Sequence, residues 1–313
     1  MDDHLSNIGF RSLKSDPCQL LRKLKKQLMD RFKMTYLGDA SKVLGMMVTR
    51  DQENGMITID QKDYTDDILE RDVMPNCNVV FTPGVGPNIY FDQPADRLLD
   101  EQGKPRRSRY DIFYAINQLA RAMFKPSKAH MGAAKHVLRY LAGCVNFPIT
   151  YRRGGFTLMA YTDANKRGHP GNGRLTSSYI MMLANGPIIF KVGLQSLLAQ
   201  SIRGAELVAT ATTTKGSLFC RNMMMELGFT EGFLSLHVYI DNISTLHVVG
   251  NRTFSPRAKH IVLRYVFVQE LMKKGKVTIH FVKTEQQLAD LGTKHLKKYR
   301  HRFLIKLINE FRA

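Results

Sequence analysis

The chain has 313 residues, of which 44% are hydrophobic, so it is long enough for two modest cores or for one core with attached segments. A formal net charge of +19 and an isoelectric point near 9.8 favour a polyanionic partner, most simply nucleic acid. The four cysteines form no CxxC pair, which argues against a zinc knuckle and against a disulfide scaffold. The chain contains no apolar run of about 18 residues and begins without a signal-peptide pattern, so we expect no membrane span and a cytoplasmic or nuclear location.

The first half of the chain alternates helical patterns with turn and loop signals. Leucines at helical spacing predict an amphipathic basic helix over 20–32, and Asn54-Gly55 predicts a β-hairpin. Prolines, glycines and charges between 77 and 109 indicate a linker or loop. Further helices are predicted over 64–73, 110–123 and 127–142. The basic face of the last of these fits a phosphate-binding surface and a solvated surface equally well.

The second half has a more regular pattern of apolar segments. Strands are predicted over 156–163, 174–186, 187–193, 234–241 and 276–282. Helices are predicted over 200–227, 257–275 and 286–298. The resulting order is three strands, a helix, a strand, a helix, a strand and a helix. This order predicts an α+β fold with a mixed sheet covered by helices.

Four acids occupy comparable places in these elements. Asp163 and Asp241 each end a predicted strand, Glu206 lies near the start of the 200–227 helix, and Asp290 lies near the start of the last helix. Each acid alone is weak evidence for a site, and Asp163 taken alone is more simply explained as a residue that caps a turn. Carboxylates that converge in one cleft repel each other unless a cation lies between them, so a cluster would indicate a hard-metal site. Two Mg²⁺ ions about 4 Å apart, or Mn²⁺ in their place, could then support phosphodiester hydrolysis.

Several motifs match one family. Tyr161–Gly168 is similar to the family's Y-S-D-A-D-W-A-G, Ser201–Leu207 resembles S-S-T-E-A-E-Y, and Asp241–Thr245 resembles D-N-x-S-A. RAKHIVLRYVF at 257–267 and QLADLGTK at 287–294 match two further motifs, and KKQLMDRFKMTYLGDASKVLG and AAKHVLRYLAG match segments closer to the start. The chain therefore resembles the C-terminal part of a copia-type retrotransposon Pol polyprotein, in which a reverse transcriptase is followed by a ribonuclease H.

The resemblance implies a ribonuclease H-like mixed five-stranded sheet flanked by helices, preceded by an incomplete reverse-transcriptase palm, thumb and connection. The implied divisions are a reverse-transcriptase remnant (1–80), a linker and connection remnant (81–155), a ribonuclease H-like domain (156–292) and a basic C-terminal helix (293–313). It implies that Asp163, Glu206, Asp241 and Asp290 bind Mg²⁺ and hydrolyse the RNA of RNA–DNA hybrids. The residues expected to contact the nucleic acid are Arg257, Lys259, His260, Arg264 and Lys294.

The chain also departs from the family. The family's Y-V-D-D strand lies between stretches resembling IGFRSLKSDPC and KKQLMDRF, where this chain has only Gln19–Leu24, so we expect no polymerase activity. A second segment is missing near KPRRSRYDI, and the chain contains no tryptophan. Two alternatives to an active nuclease therefore stay open. One is an inactive nucleic-acid-binding remnant. The other is a secreted effector that acts on a host protein, because Arg11, Ser12, Leu13 and Lys14 resemble the RxLR motif of oomycete effectors.

Overall fold

The computed structural model describes most of the chain as two β-sheets with their covering helices. The described residues are 26, 29–31, 40–72, 74, 76–86, 109–123, 126–153, 157–165, 173–196, 201–226, 236–250 and 259–311. Of the predicted helix over 20–32, residues 26 and 29–31 are described, and they are helical. The RxLR-like residues Arg11, Ser12, Leu13 and Lys14 lie outside the described part of the chain, as does Arg257.

The first sheet has four antiparallel strands. They are β1 (Lys42–Val43), β2 (Met46–Asp51), β3 (Met56–Asp60) and β4 (Ile149–Arg152), in the order β1-β2-β3-β4. The hairpin predicted at Asn54-Gly55 joins β2 to β3. Gly55 has a φ of +61°, which favours glycine, and the Asn54 amide donates to the Asp51 carboxylate at 2.9 Å. The pairing of β4 with β3 was not predicted.

Three helices pack together beside the first sheet. They are α1 (Lys62–Arg71), α2 (Phe113–Arg121), which follows a 3₁₀ turn at Tyr110–Ile112, and α3 (Lys128–Ala142). The Ser127 side chain accepts from the amide of His130 and caps α3. Their shared core contains Leu69, Ala115, Val137 and Leu141. The helices predicted in this region are confirmed, with bounds that differ by two or three residues at most.

The second sheet has five strands and a mixed topology. They are β5 (Met159–Ala164), β6 (Thr176–Leu183), β7 (Gly186–Leu194), β8 (Leu236–Ile240) and β9 (Val277–Phe281). The strand order is β7-β6-β5-β8-β9. The β5-β6 and β6-β7 pairs are antiparallel, and the β5-β8 and β8-β9 pairs are parallel. The predicted α+β class with a mixed five-stranded sheet is therefore confirmed.

Helices cover both faces of this second sheet. On one face α4 (Ile202–Glu226), α5 (Ile243–Gly250) and α6 (Lys259–Lys273) enclose a core that includes Leu207, Val238 and Val268. On the other face α7 (Asp290–Thr293) and α8 (Lys298–Asn309) cover Ile180, Met182 and Leu288. None of the helices in the described ranges combines the length and apolar composition needed to cross a membrane.

Two helix predictions in the C-terminal half need correction. The pattern over 286–298 is not one helix, because α7 is a single turn that is followed by extended backbone at Lys294 and Lys297. The basic C-terminal helix predicted over 293–313 accordingly begins only at Lys298. The short helix α5 was not predicted.

The core of the second sheet includes residues from before position 156. Tyr110 and Ile149 are buried with strands β5 to β7, and the Tyr110 hydroxyl donates to Asn309 in α8 at 2.7 Å. The domain limits 1–80, 81–155, 156–292 and 293–313 stay predictions. A fragment that starts at residue 156 would lack the part of this core that Tyr110 and Ile149 form.

Candidate active site

Two of the predicted acids stand side by side because two central strands run in parallel. Strands β5 and β8 pair with Tyr161 opposite Tyr239, so their carboxyl ends meet at the same edge of the sheet. Asp163 lies at that end of β5 and is only 1% exposed. Asp241 follows β8 directly, is half-buried, and accepts from the Thr284 hydroxyl at 3.1 Å. The sheet topology thus brings these two carboxylates together.

Glu206 reaches the same edge from helix α4. This helix packs against β5, where the Thr213 hydroxyl donates to the Thr162 hydroxyl at 2.8 Å. Thr162 directly precedes Asp163, so the contact fixes the helix beside the strand end. Glu206 lies two turns before Thr213 on the inner side of the helix and is 1% exposed. The helix therefore projects a buried carboxylate toward the ends of the central strands.

These three acids form a compact cluster. One carboxylate oxygen each from Asp163, Glu206 and Asp241 all lie within 4.8 Å of one another. Two of the three side chains are almost wholly buried. Carboxylates held this close in a low-dielectric setting repel one another, which is the situation that a bound cation relieves.

Asp290, the fourth predicted acid, lies beside this cluster but bonds differently. It begins α7 and is 3% exposed. Its Oδ1 lies 2.6 Å from the Lys294 ammonium group, and its Oδ2 lies 3.4 Å from the Arg300 guanidinium group. Both oxygens of Asp290 are therefore in contact with basic side chains. The structure places it next to the three-carboxylate group, and joined to that group through Lys294.

Lys294 lies beside the carboxylate cluster and contacts one member of it, Asp163, although the family resemblance predicted Lys294 as a nucleic-acid contact. Its Nζ is 3.3 Å from Asp163 Oδ2 as well as 2.6 Å from Asp290 Oδ1, and its side chain is 30% exposed. The short helix α7 ends at Thr293, whose hydroxyl donates to the same Asp163 oxygen. The extended backbone that follows turns the Lys294 side chain toward the acids. Its contacts are thus with two carboxylates of the chain itself.

The cluster perturbs the acid–base properties of its members. Burial raises the pKa of Asp163 to about 7, and repulsion from Asp290 and Asp241 acts in the same direction. Lys294 and the hydrogen bond from Thr293 oppose that rise. The pKa of Lys294 is itself raised, because attraction to Asp163 and Asp290 outweighs the effect of its burial. Contact with the two carboxylates therefore favours the charged form of the Lys294 ammonium group.

The other predicted nucleic-acid contacts lie away from the carboxylates or are not described. Lys259 and His260 are at the start of α6, where the structure describes the backbone alone. Arg264 is half-buried and lines a cavity of about 180 Å³ between β7 and α4, together with Lys191 and Thr212. Nothing here brings Arg264 to the acids, so its contact with nucleic acid stays a prediction.

Sequence reasoning missed the roles of Thr293, Lys294 and Arg300 around Asp163 and Asp290. A signal for Lys294 was present, because Asp290 and Lys294 are four residues apart and such pairs share one helix face. No comparable signal exists for Arg300, since its contact depends on how α8 packs after the extended segment.

The sequence comparisons agree with the motifs. Residues 12–86 match the family model described as reverse transcriptase (RNA-dependent DNA polymerase). The chain is 28% identical over 291 residues to the retrovirus-related Pol polyprotein from transposon TNT 1-94 of Nicotiana tabacum, a match that covers 88% of this chain and 22% of the relative. The corresponding polyprotein from transposon RE2 of Arabidopsis thaliana is 30% identical over 290 residues, covering 89% and 20%. The chain thus spans about a fifth of the length of these relatives.

Two further matches are partial. The secreted RxLR effector protein 161 of Plasmopara viticola is 28% identical over 113 residues, which is 36% of this chain and 80% of that protein. Among solved structures, RNase H1 of Halobacterium salinarum is 14% identical, with a TM-score of 0.33 over 42% of this chain and 90% of that one. Because this TM-score is too low to support an argument, the fold class rests on the strand order described above. The sequence matches confirm that the chain is similar, along most of its length, to one part of the copia-type retrotransposon Pol polyprotein.

Proposed function

We propose that the chain is a metal-dependent nuclease that hydrolyses the RNA strand of RNA–DNA hybrids. One observation carries the proposal, namely that oxygens of Asp163, Glu206 and Asp241 lie within 4.8 Å of one another at the carboxyl ends of two central parallel strands. The similarity to Pol polyproteins, in which reverse transcription produces such hybrids, supports the choice of substrate.

The three acids fit a hard divalent cation. Mg²⁺ binds carboxylate oxygens at about 2.1 Å in octahedral geometry, so its ligands lie about 3 Å apart when adjacent and about 4 Å apart when opposite. The spacing of up to 4.8 Å in the cluster is slightly wider, so the side chains would close in on a bound ion. The set contains oxygen donors alone, which suits Mg²⁺ or Mn²⁺ better than a softer metal. Burial of Asp163 at a raised pKa is a further cost that a cation would offset.

In this reading each acid has a defined task. Asp163, Glu206 and Asp241 would hold the cation, and the Thr284 hydroxyl orients Asp241 by its hydrogen bond to Oδ2. A divalent ion bound there would lower the pKa of a coordinated water and neutralise charge on the scissile phosphate. The ends of strands β5 and β8 position Asp163 and Asp241, and helix α4 positions Glu206, so the three carboxylates are arranged before a phosphate group binds.

The charge of the chain supports a nucleic-acid substrate. The net charge of +19 favours phosphate backbones in general and makes binding strongly dependent on salt. Lys191 and Arg264 add positive charge at the cavity beside α4. These features do not distinguish a hybrid from other nucleic acids, so the substrate must be tested directly.

The test is a cleavage assay on a labelled RNA–DNA hybrid with added Mg²⁺, comparing the parent protein with the Asp163→Asn variant. The variant should lose more than about 100-fold in rate, because a metal ligand is removed. Asp67→Asn is a matched control, since Asp67 is an exposed acid on α1 far along the chain from the cluster. The same loss in both variants, or equal rates in all three proteins, would contradict the proposal.

The two alternatives are distinguished by the same proteins. A parent that binds hybrids without cutting them would favour the inactive nucleic-acid-binding remnant. A parent that neither cuts nor binds would favour the effector hypothesis, which the partial match to an RxLR effector protein supports over about a third of the chain.

A further inference from the structure

We propose that the Lys294 ammonium group permanently occupies one cation position beside Asp163, so that the substrate-free protein binds a single divalent ion. The resemblance to two-metal nucleases implies two ions. The inference rests on the proposed function, because the ion in question is the one that hydrolysis would use.

The contacts of Lys294 are those of a bridging cation. Its Nζ lies 2.6 Å from Asp290 Oδ1 and 3.3 Å from Asp163 Oδ2, so one positive charge is shared by two nearly buried carboxylates. The backbone holds it in place, since the Lys294 amide donates to the Asp290 carbonyl at 3.2 Å. Thr293 donates to the same Asp163 oxygen. The side chain is therefore anchored at both of its ends.

Asp290 has little capacity left for a metal. Lys294 contacts one of its oxygens, and Arg300, from the first turn of α8, contacts the other. A divalent ion that bridged Asp163 and Asp290 would require the space and the oxygens that Lys294 now uses. It would also meet a like charge at close range in a site largely shielded from water. Occupation by the lysine therefore opposes a second ion.

Asp163 also belongs to a second group of acidic side chains. The three-carboxylate group of Asp163, Glu206 and Asp241 offers three oxygens within 4.8 Å of one another. A single ion at this group would leave Asp163 in contact with two positive charges, the ion and the ammonium group of Lys294. The Lys294 side chain thus provides one of the two cations beside Asp163, and a divalent ion from solution provides the other.

The inference is tested by counting the Mn²⁺ ions bound per chain. The whole protein is titrated with Mn²⁺ at neutral pH, and the free ion is measured by electron paramagnetic resonance. We expect one ion for the parent and two for Lys294→Met. Lys297→Met is the matched control, because Lys297 is exposed and the substitution changes the net charge equally. It should bind one ion, which separates the specific contact from a general gain in attraction for cations.

The comparison of the parent with the neutral variants decides the question. Lys294→Gln, which retains a donor for Asp290, is measured beside Lys294→Met in case the latter does not fold. One ion more in either folded variant than in the parent supports the inference, and equal numbers overturn it. Failure of the proposed function would look different, since the parent would then bind one ion and leave the hybrid uncut, while the difference in ion number between parent and variant persisted. A parent that binds no ion would overturn the inference.

Discussion

Without metal, the stability of the protein should fall as the pH rises from about 4 to about 7, and Asp163 should be the main cause. Burial raises the pKa of this carboxyl group to about 7 in the folded state, against 3.8 for an ordinary aspartate. Between these two values the folded state binds more protons than the unfolded state. The free energy of unfolding therefore decreases as the pH rises from about 4 to about 7.

The size of the effect follows from the pKa difference. Each pKa unit corresponds to about 1.4 kcal/mol, so ionising Asp163 in the folded state costs up to about 4 kcal/mol of stability by pH 8. Asp163→Asn removes the titrating group. When the pH is raised from about 4.5 to about 8, the free energy of unfolding of the variant should therefore increase relative to that of the parent by about 1 to 4 kcal/mol.

The measurement is urea unfolding, followed by circular dichroism, in the presence of a chelator at several pH values. Asp67→Asn serves again as the control and should follow the parent curve. Excess Mg²⁺ at about pH 8 should restore stability to the parent and leave Asp163→Asn unchanged, because an ion that binds only the folded state stabilises it. Parallel pH curves for the parent and Asp163→Asn would refute the reasoning, since the burial of Asp163 would then have no energetic consequence.

Three further outcomes are expected. Gly292→Ala should lower the free energy of unfolding by about 1 to 3 kcal/mol in urea titrations, because the new Cβ would lie 2.6 Å from Val192 Cγ2 and closer still to Ser178 Oγ. The control is Gly193→Ala, which should be nearly neutral because its new Cβ would meet nothing within 4 Å. Tyr110→Ala should cost about 3 to 5 kcal/mol by the same method, since it opens a cavity in the core of the second sheet, and an effect below about 1 kcal/mol would mean that residues before 156 do not support that core. Primer-extension assays on an RNA template should show no DNA synthesis, because the paired aspartates of the family's polymerase strand are absent between Gln19 and Leu24; extension above background would contradict this.

The second sheet could be predicted because its signals are local. Strand β8 alternates Leu236, Val238 and Ile240 toward the core, and an acid follows at once, so both the strand and its functional end could be read from a few residues. The convergence of Asp163 with Asp241 came from the family resemblance. It could not have come from periodicity, which says nothing about strand order.

The missed features are those that depend on distant partners. Strand β4 has four residues, and its pairing with β3 joins Ile149 to Ile59 across about ninety intervening positions. Such a short segment has no recognisable period. The single-turn helix α7 was extended too far in the prediction because the pattern of leucines continues through Leu296, whereas the backbone becomes extended at Lys294.

The contact of Thr293 and Lys294 with Asp163 has a consequence for the order in which the site is completed during translation. Asp163, Glu206 and Asp241 leave the ribosome first, and their countercharge follows more than fifty residues later. A nascent or prematurely terminated chain that stops before Asp290 would carry three crowded carboxylates without the lysine that balances them. Such a product would also lack Leu291, Leu304 and Ile308 of the second-sheet core. The C-terminal segment therefore supplies both core side chains and the counterion for a site encoded well upstream of it.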